Sequence, residues 1–163
     1  MGKPVKSRSI KSLCLLVALV AAALPQGAMA ANDSAACTVR FIHAKHEGTA
    51  FDPKLEPLRD QLTRPPLSSW KSFSLLGEQK ISLHALTPTD FAVPGDHQGR
   101  LEFLGTVESN GKQRLRLRWQ LLDGAARLMS TVFVIDDGGT VLQAGIKHEQ
   151  GLLVLGTTCK LGS

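Results

Sequence analysis

The sequence contains no tyrosine, and only two tryptophans and six phenylalanines among 163 residues. Carbohydrate- and peptide-binding surfaces lean on Tyr and Trp, so this composition argues against a lectin. Cysteine is scarce as well, with three in all. No Cys-x-x-Cys pair is present, which excludes a thioredoxin-type redox centre, and neither remaining thiol has a nucleophile context. No G-x-S-x-G elbow and no S-x-x-K supplies a hydrolase nucleophile. Nothing after Leu24 is long and apolar enough to form a membrane-spanning helix. No repeat and no low-complexity tract follows residue 30.

What is present begins with a leader-like segment. Lys3, Lys6, Arg8 and Lys11 precede the apolar run Leu13 to Leu24, and Ala28-Met29-Ala30 follows. A basic start, an apolar middle and an A-x-A site together predict a secretory signal peptide over residues 1–30. An uncleaved anchor is the alternative, but Pro25 and Gly27 interrupt the run. Ser34-Ala35-Ala36 before Cys37 raises a lipoprotein reading. Ser34 stands where that box wants Leu, and Asn32 and Asp33 separate it from the apolar core, which disfavours acylation at Cys37.

Removal of residues 1–30 takes away four of the 19 basic residues and none of the 14 acidic ones. The formal charge of +5 thus falls to +1, and with it goes any bulk electrostatic case for nucleic acid or anionic lipid. The remaining residues, 31–163, suit a single mostly-β domain of ordinary size. The expected setting is periplasmic or extracellular.

In that setting Cys37 and Cys159 are expected to form one disulfide. Cys37 opens the first strand candidate and Cys159 closes the last, so those strands should be neighbours.

Thr38–His46 alternates as a strand. Asp52-Pro53 reads as an N-cap with proline in the first turn, and Leu55, Leu58 and Leu62 follow at helical spacing. That helix should end before Pro65-Pro66. From Trp70 onward the pattern predicts strands over 70–76, 80–86, 91–93, 100–108, 113–122, 126–136, 140–146 and 152–159, separated by Gly, Pro, Asn-Gly and Asp-Gly breakers. The expected fold is mainly β: an antiparallel sandwich or curled sheet of about 7–9 strands with one short N-terminal helix.

One hairpin can be argued to its register. A two-residue Asn110-Gly111 turn would set Phe103 against Arg118 and mix the faces. A three-residue loop, Ser109 to Gly111, sets Phe103 against Leu117, Leu101 against Trp119, Glu102 against Arg118 and Glu108 against Lys112. Val132-Phe133-Val134-Ile135 is apolar on both sides, which predicts a central strand covered twice.

Candidate chemistry is sparse. His43 and His46 are three apart, which sends them to opposite faces of a strand, so without a bulge they cannot share a metal. His84, His97 and His148 are scattered; His43, His46, His97 and His148 are candidates for a metal site, with surface or strand-end histidines as the plainer reading. Arg114, Arg116 and Arg118 line one strand face and could bind an anionic polymer, or pair with Glu102 and Glu108. Asp136-Asp137-Gly138-Gly139 lacks the ligand pattern of a calcium loop and suits a turn. Asp96-His97 offers half of a catalytic pair with no nucleophile. Trp70 and Phe73 could form a partner-binding patch, or pack on the helix. No cofactor is expected.

Asp52-Pro53-x-Leu55-x-x-Leu58-x-x-x-Leu62 running into Pro65-Pro66, then Ser69-Trp70-x-x-Phe73-x-Leu75-Leu76, together with Gly139-x-Val141-Leu142 and Gly151-Leu152-Leu153-Val154, resembles small exported bacterial proteins of mostly β structure that carry no assigned activity. The resemblance covers about half of residues 31–163. It implies a bacterial envelope setting and transfers no catalytic residue. The expected function is therefore a non-catalytic exported module that binds another envelope protein or serves a structural role. The alternatives are a metal binder or hydrolase built on the histidines, and a binder of anionic envelope polymers.

Overall fold

The computed structural model describes Gly2 and residues 33–162; the expected signal peptide and Cys14 lie outside them. Eight strands build two antiparallel four-stranded sheets. The first sheet has the order β2-β1-β8-β7, with β1 Ser34–Lys45, β2 Ser72–His84, β7 Thr140–His148 and β8 Gly151–Leu161. The second has the order β3-β4-β5-β6, with β3 Thr89–Val93, β4 His97–Ser109, β5 Lys112–Asp123 and β6 Ala126–Asp136. Among the described residues no helix is long and apolar enough to cross a membrane.

Alternation decides what faces inward. Val39 and Phe41 from β1, Leu153 and Leu155 from β8, and Leu101, Phe103, Leu117 and Trp119 from β4 and β5 meet in the main core between the sheets. A second core lies on the outer face of the first sheet. There Ile42, Ala44 and Val154 are covered by Leu55, Leu58, Leu62 and Leu67 from the segment that links β1 to β2. That explains why Phe41 to Ala44 are all buried: both faces of β1 are covered at this end.

The covering segment is less regular than its leucine spacing suggests. A 3-10 turn, Pro53–Leu58, leads into a single α-helical turn, α1 (Arg59–Leu62), and a second 3-10 turn spans Leu67–Ser69. Pro57 sits inside the first turn and can donate no backbone bond, so the tighter helix prevails. Asp52 caps the segment as expected, accepting from Lys54 N at 2.9 Å.

Three expectations need correction. Residues 70–76 and 80–86 do not form two strands. They are parts of one strand, β2, whose pairing with β1 slips by one residue between Phe41 and Ile42. Gly77 therefore marks a bulge and not a break. The β4–β5 turn is the two-residue kind, with Asn110 and Gly111 both at positive φ (53° and 71°) and Ser109 opposite Lys112. The faces nevertheless stay separate, because a bulge at Leu104-Gly105, with Gly105 at φ 102°, restores Phe103 opposite Leu117 and Glu102 opposite Arg118. Glu108 consequently faces Gln113, not Lys112. Finally, β6 is not central. It is the last strand of its sheet: its outward Val132 and Val134 remain 45% and 36% exposed, and Leu128, at a bulge opposite Leu121 and Leu122, is 53% exposed.

The two sheets are joined unequally along their sides. Beyond β2 the chain runs beside β4, where Leu86 N donates to Phe103 O at 2.8 Å. On the opposite side β6 passes to β7 through the turn Asp137–Gly139, held by Gly138 N to Cys159 O at 2.8 Å and by Leu161 N to Asp137 Oδ1 at 2.8 Å. No backbone ladder joins β6 to β7. The sandwich is thus open along that seam.

Candidate functional site

The open seam is where the fold presents a site. Two cavities lie along it. One, of about 470 Å³, is lined by Leu121, Met129, Ile146 and Leu155, with His97, Gln143 and Lys147 as its polar members. The other, of about 600 Å³, runs past Phe133 and Val141 to Pro65, Pro66 and Leu67. Met129, Gln143 and Ala144 border both, so the two form one groove along the edges of β6 and β7. Gly145, at φ 132°, occupies a β-bulge between Ala144 and Ile146 and bends β7 at this point.

The polar groups in the groove are unsatisfied. Nε2 and Oε1 of Gln143 and Nδ1 of His97 are buried and have no hydrogen-bond partner among the described residues. A buried polar group left unpaired costs about 1–3 kcal/mol. Apolar walls with a few unpaired polar groups are the usual signature of a small-ligand site.

Next to the groove the tertiary structure collects three histidines. His43 on β1 is 3% exposed, and its ring meets that of His148 edge-on, with centroids 5.2 Å apart. A β-carbon on Gly95 would lie 3.6 Å from His148 Nδ1 and 3.8 Å from His97 Nε2, so His97 comes from the other sheet to the same corner. Glu149 Oε2 stands 3.9 Å from His43 Nδ1. Burial pushes the pKa of His43 down, and the neighbouring charge of Lys45 adds to the effect, while Glu149 opposes it. Its Nε2 has no hydrogen-bond partner among the described residues. The convergence falls short of a metal centre: among the described residues, no group of three His, Cys, Asp or Glu side chains is placed to hold a metal ion.

His46 goes elsewhere, as its odd spacing from His43 requires. It stacks on Trp70 at 3.8 Å between centroids, and its Nδ1 lies 3.3 Å from Ser69 O. Trp70 is half-buried against the second core, and Phe73 is 3% exposed within it. Phe73 therefore cannot serve as a surface contact, and one face of Trp70 is already taken.

The arginine ladder is largely neutralised. Arg118 donates to Glu102 Oε2 at 2.7 Å, across the pair read from the sequence. Arg114 Nε lies 2.7 Å from Asp136 Oδ1, an ion pair by distance that lacks hydrogen-bond alignment. Arg116 has no ion-pair partner among the described residues and faces Val134 across the β5–β6 ladder. One free guanidinium is a poor basis for binding a polymer.

Gln143 escaped the sequence reading altogether. A lone glutamine in a short strand carries no motif, and only its burial without a partner marks it. The chain matches no family model, no curated protein and no solved structure.

Proposed function

We propose that the protein is an exported, non-catalytic module that binds an extended apolar segment of another envelope protein along the free edge of β6. The observation that carries this reading is a contrast among the four edge strands. Exposed edges invite pairing, and native proteins blunt them with charge, bulges or brevity. β3 is five residues long and carries Asp90. β2 bears exposed Glu78 and Lys80 beside its bulge. β7 has the Gly145 bulge and exposed Lys147. β6 carries Arg127 and a bulge at Leu128 near its start, but from Met129 to Ile135 it has no charge, no proline and no bulge.

Its outward apolar side chains supply the second element. Covering the exposed parts of Val132 and Val134 contributes on the order of 1 kcal/mol each, in addition to the main-chain bonds that a partner strand would make. The disulfide and the lack of a membrane-spanning helix among the described residues are consistent with an exported setting.

The test places a photo-crosslinking benzoylphenylalanine at the exposed, outward Ser130 in the exported protein. The expected result is one discrete adduct with a different protein, mapped to an extended apolar segment and lost when Val132→Lys is added. Val132 is exposed, so that change should leave stability within about 0.5 kcal/mol. An adduct that survives Val132→Lys, or one containing only peptides of this chain, would overturn the proposal.

A further inference from the structure

The groove between the sheets is bordered by the edge of β6, but its lining chemistry points to a different ligand. We propose that it binds a single-chain amphiphile with a carboxylate head, the chain lying among Leu121, Met129 and Leu155 and the head meeting Gln143, His97 and Lys147.

Three observations support this. First, the walls are apolar and come from both sheets, so a chain entering here replaces water against Leu and Met side chains. Second, three buried polar atoms without a partner among the described residues border this groove: the amide nitrogen and oxygen of Gln143, which lines both cavities, and Nδ1 of His97 in the first. Gln143 Nε2 is a donor, and His97 Nδ1 is one in the appropriate tautomer. Third, the charge is of one sign. Lys147 stands exposed at the rim, without an ion-pair partner among the described residues, and no acidic side chain lines either cavity. Donors and a cation with no competing carboxylate select an anionic head. The groove continues past Phe133 and Val141, so there is room for a chain longer than the first cavity alone would hold.

The experiment uses the exported protein with its disulfide intact. Dodecanoate, dodecanol and dodecyltrimethylammonium are titrated calorimetrically below their aggregation limits. Dodecanoate is expected to bind about tenfold or more tightly than either of the others, since a hydrogen bond to a charged group supplies about one decade or more of affinity. Gln143→Leu should remove most of that preference while leaving the dodecanol affinity nearly unchanged. Met129→Trp, which fills the groove, should abolish binding of all three. Should that variant fail to fold, Lys147→Glu at the exposed rim provides a second check by reversing the preference between the anionic and cationic chains. Equal binding of the three chains, no binding of dodecanoate, or an unaltered preference in Gln143→Leu would each overturn the inference. Val132→Lys, which removes the proposed strand-binding edge, should leave dodecanoate binding intact, so the two proposals can fail separately.

Discussion

Cys37 and Cys159 stand directly opposite each other on β1 and β8, joined through their sulfurs, with Cα atoms 4.1 Å apart and a separation of 122 positions in sequence. The first and last strands of the domain are thereby locked as neighbours at the middle of a sheet. A loop of that length carries a chain-entropy stabilisation of about 4–5 kcal/mol as an upper figure. Replacing both cysteines by serine is expected to lower the unfolding free energy by about 2–5 kcal/mol in urea titration. The β1–β8 ladder flanking the bond should still form, so the folded spectrum should persist. A loss below about 1 kcal/mol would show that the unfolded chain is already constrained without the bond.

His43 should make stability depend on pH. Its folded pKa lies below the ordinary value of 6.5, chiefly because burial disfavours the charged ring. The unfolded chain therefore binds more protons than the folded one once pH falls below that value. Stability should hold above about pH 7 and decline as pH drops towards about 5, with Lys45 and His148 resisting protonation and Glu149 favouring it. Urea midpoints across this window should fall for the native chain. They should fall less for His43→Phe, which has no proton to take up. Parallel curves would refute the assignment.

Asp52 ties the covering segment to the sheet through both of its oxygens. Oδ1 accepts from Lys54 N at 2.9 Å, and Oδ2 accepts from Leu75 N on β2 at 3.2 Å. Loss of an N-cap alone costs about 0.5–2 kcal/mol. Asp52→Ala should exceed the middle of that range in thermal melting because it removes two bonds. Asp52→Asn, which keeps one acceptor oxygen, should recover part of the loss. Equal melting temperatures for the two variants would argue that only one of the bonds matters.

Gly99 on β4 lies beneath the ring of Phe91 on β3, its cross-strand partner. A β-carbon there would run into the ring, which is 7% exposed and also meets Trp119 edge-on at 6.3 Å. Gly99→Ala should destabilise the domain by about 1–3 kcal/mol through overpacking. Adding Phe91→Leu should recover part of that loss. The double-mutant cycle measures the coupling, and strict additivity would show that the ring moves aside freely.

Much of the fold was legible because it follows from rules that act over a few residues. Alternation in β4 and β5 marked Leu101, Phe103, Leu117 and Trp119 as inward-facing. Asp52-Pro53 marked the cap, and Cys37 and Cys159, the two cysteines beyond the leader-like segment, marked their own bond. Even the failed turn assignment preserved the correct pairing of Glu102 with Arg118. Segregation of the faces is enforced by burial along the whole hairpin, whereas the place where the extra residue is absorbed, at Leu104-Gly105 and not at Asn110-Gly111, costs little either way.

Amino-acid order alone therefore determined most of the strands and their inward faces, because these depend on periodicity and local backbone preference, and it named the covalent link between the first and last of them through the two cysteines beyond residue 30. Tertiary structure alone decided the rest. Val132 to Ile135 reads as a doubly covered strand, yet a side chain's hydrophobicity does not say whether its own chain or another will cover it; only sheet order placed β6 at an edge. His43, His97 and His148 converge because strands 50 and more residues apart end at the same corner. Gln143 gained its significance from the seam between two sheets, since a buried amide becomes conspicuous only once everything around it is in place and nothing pairs with it.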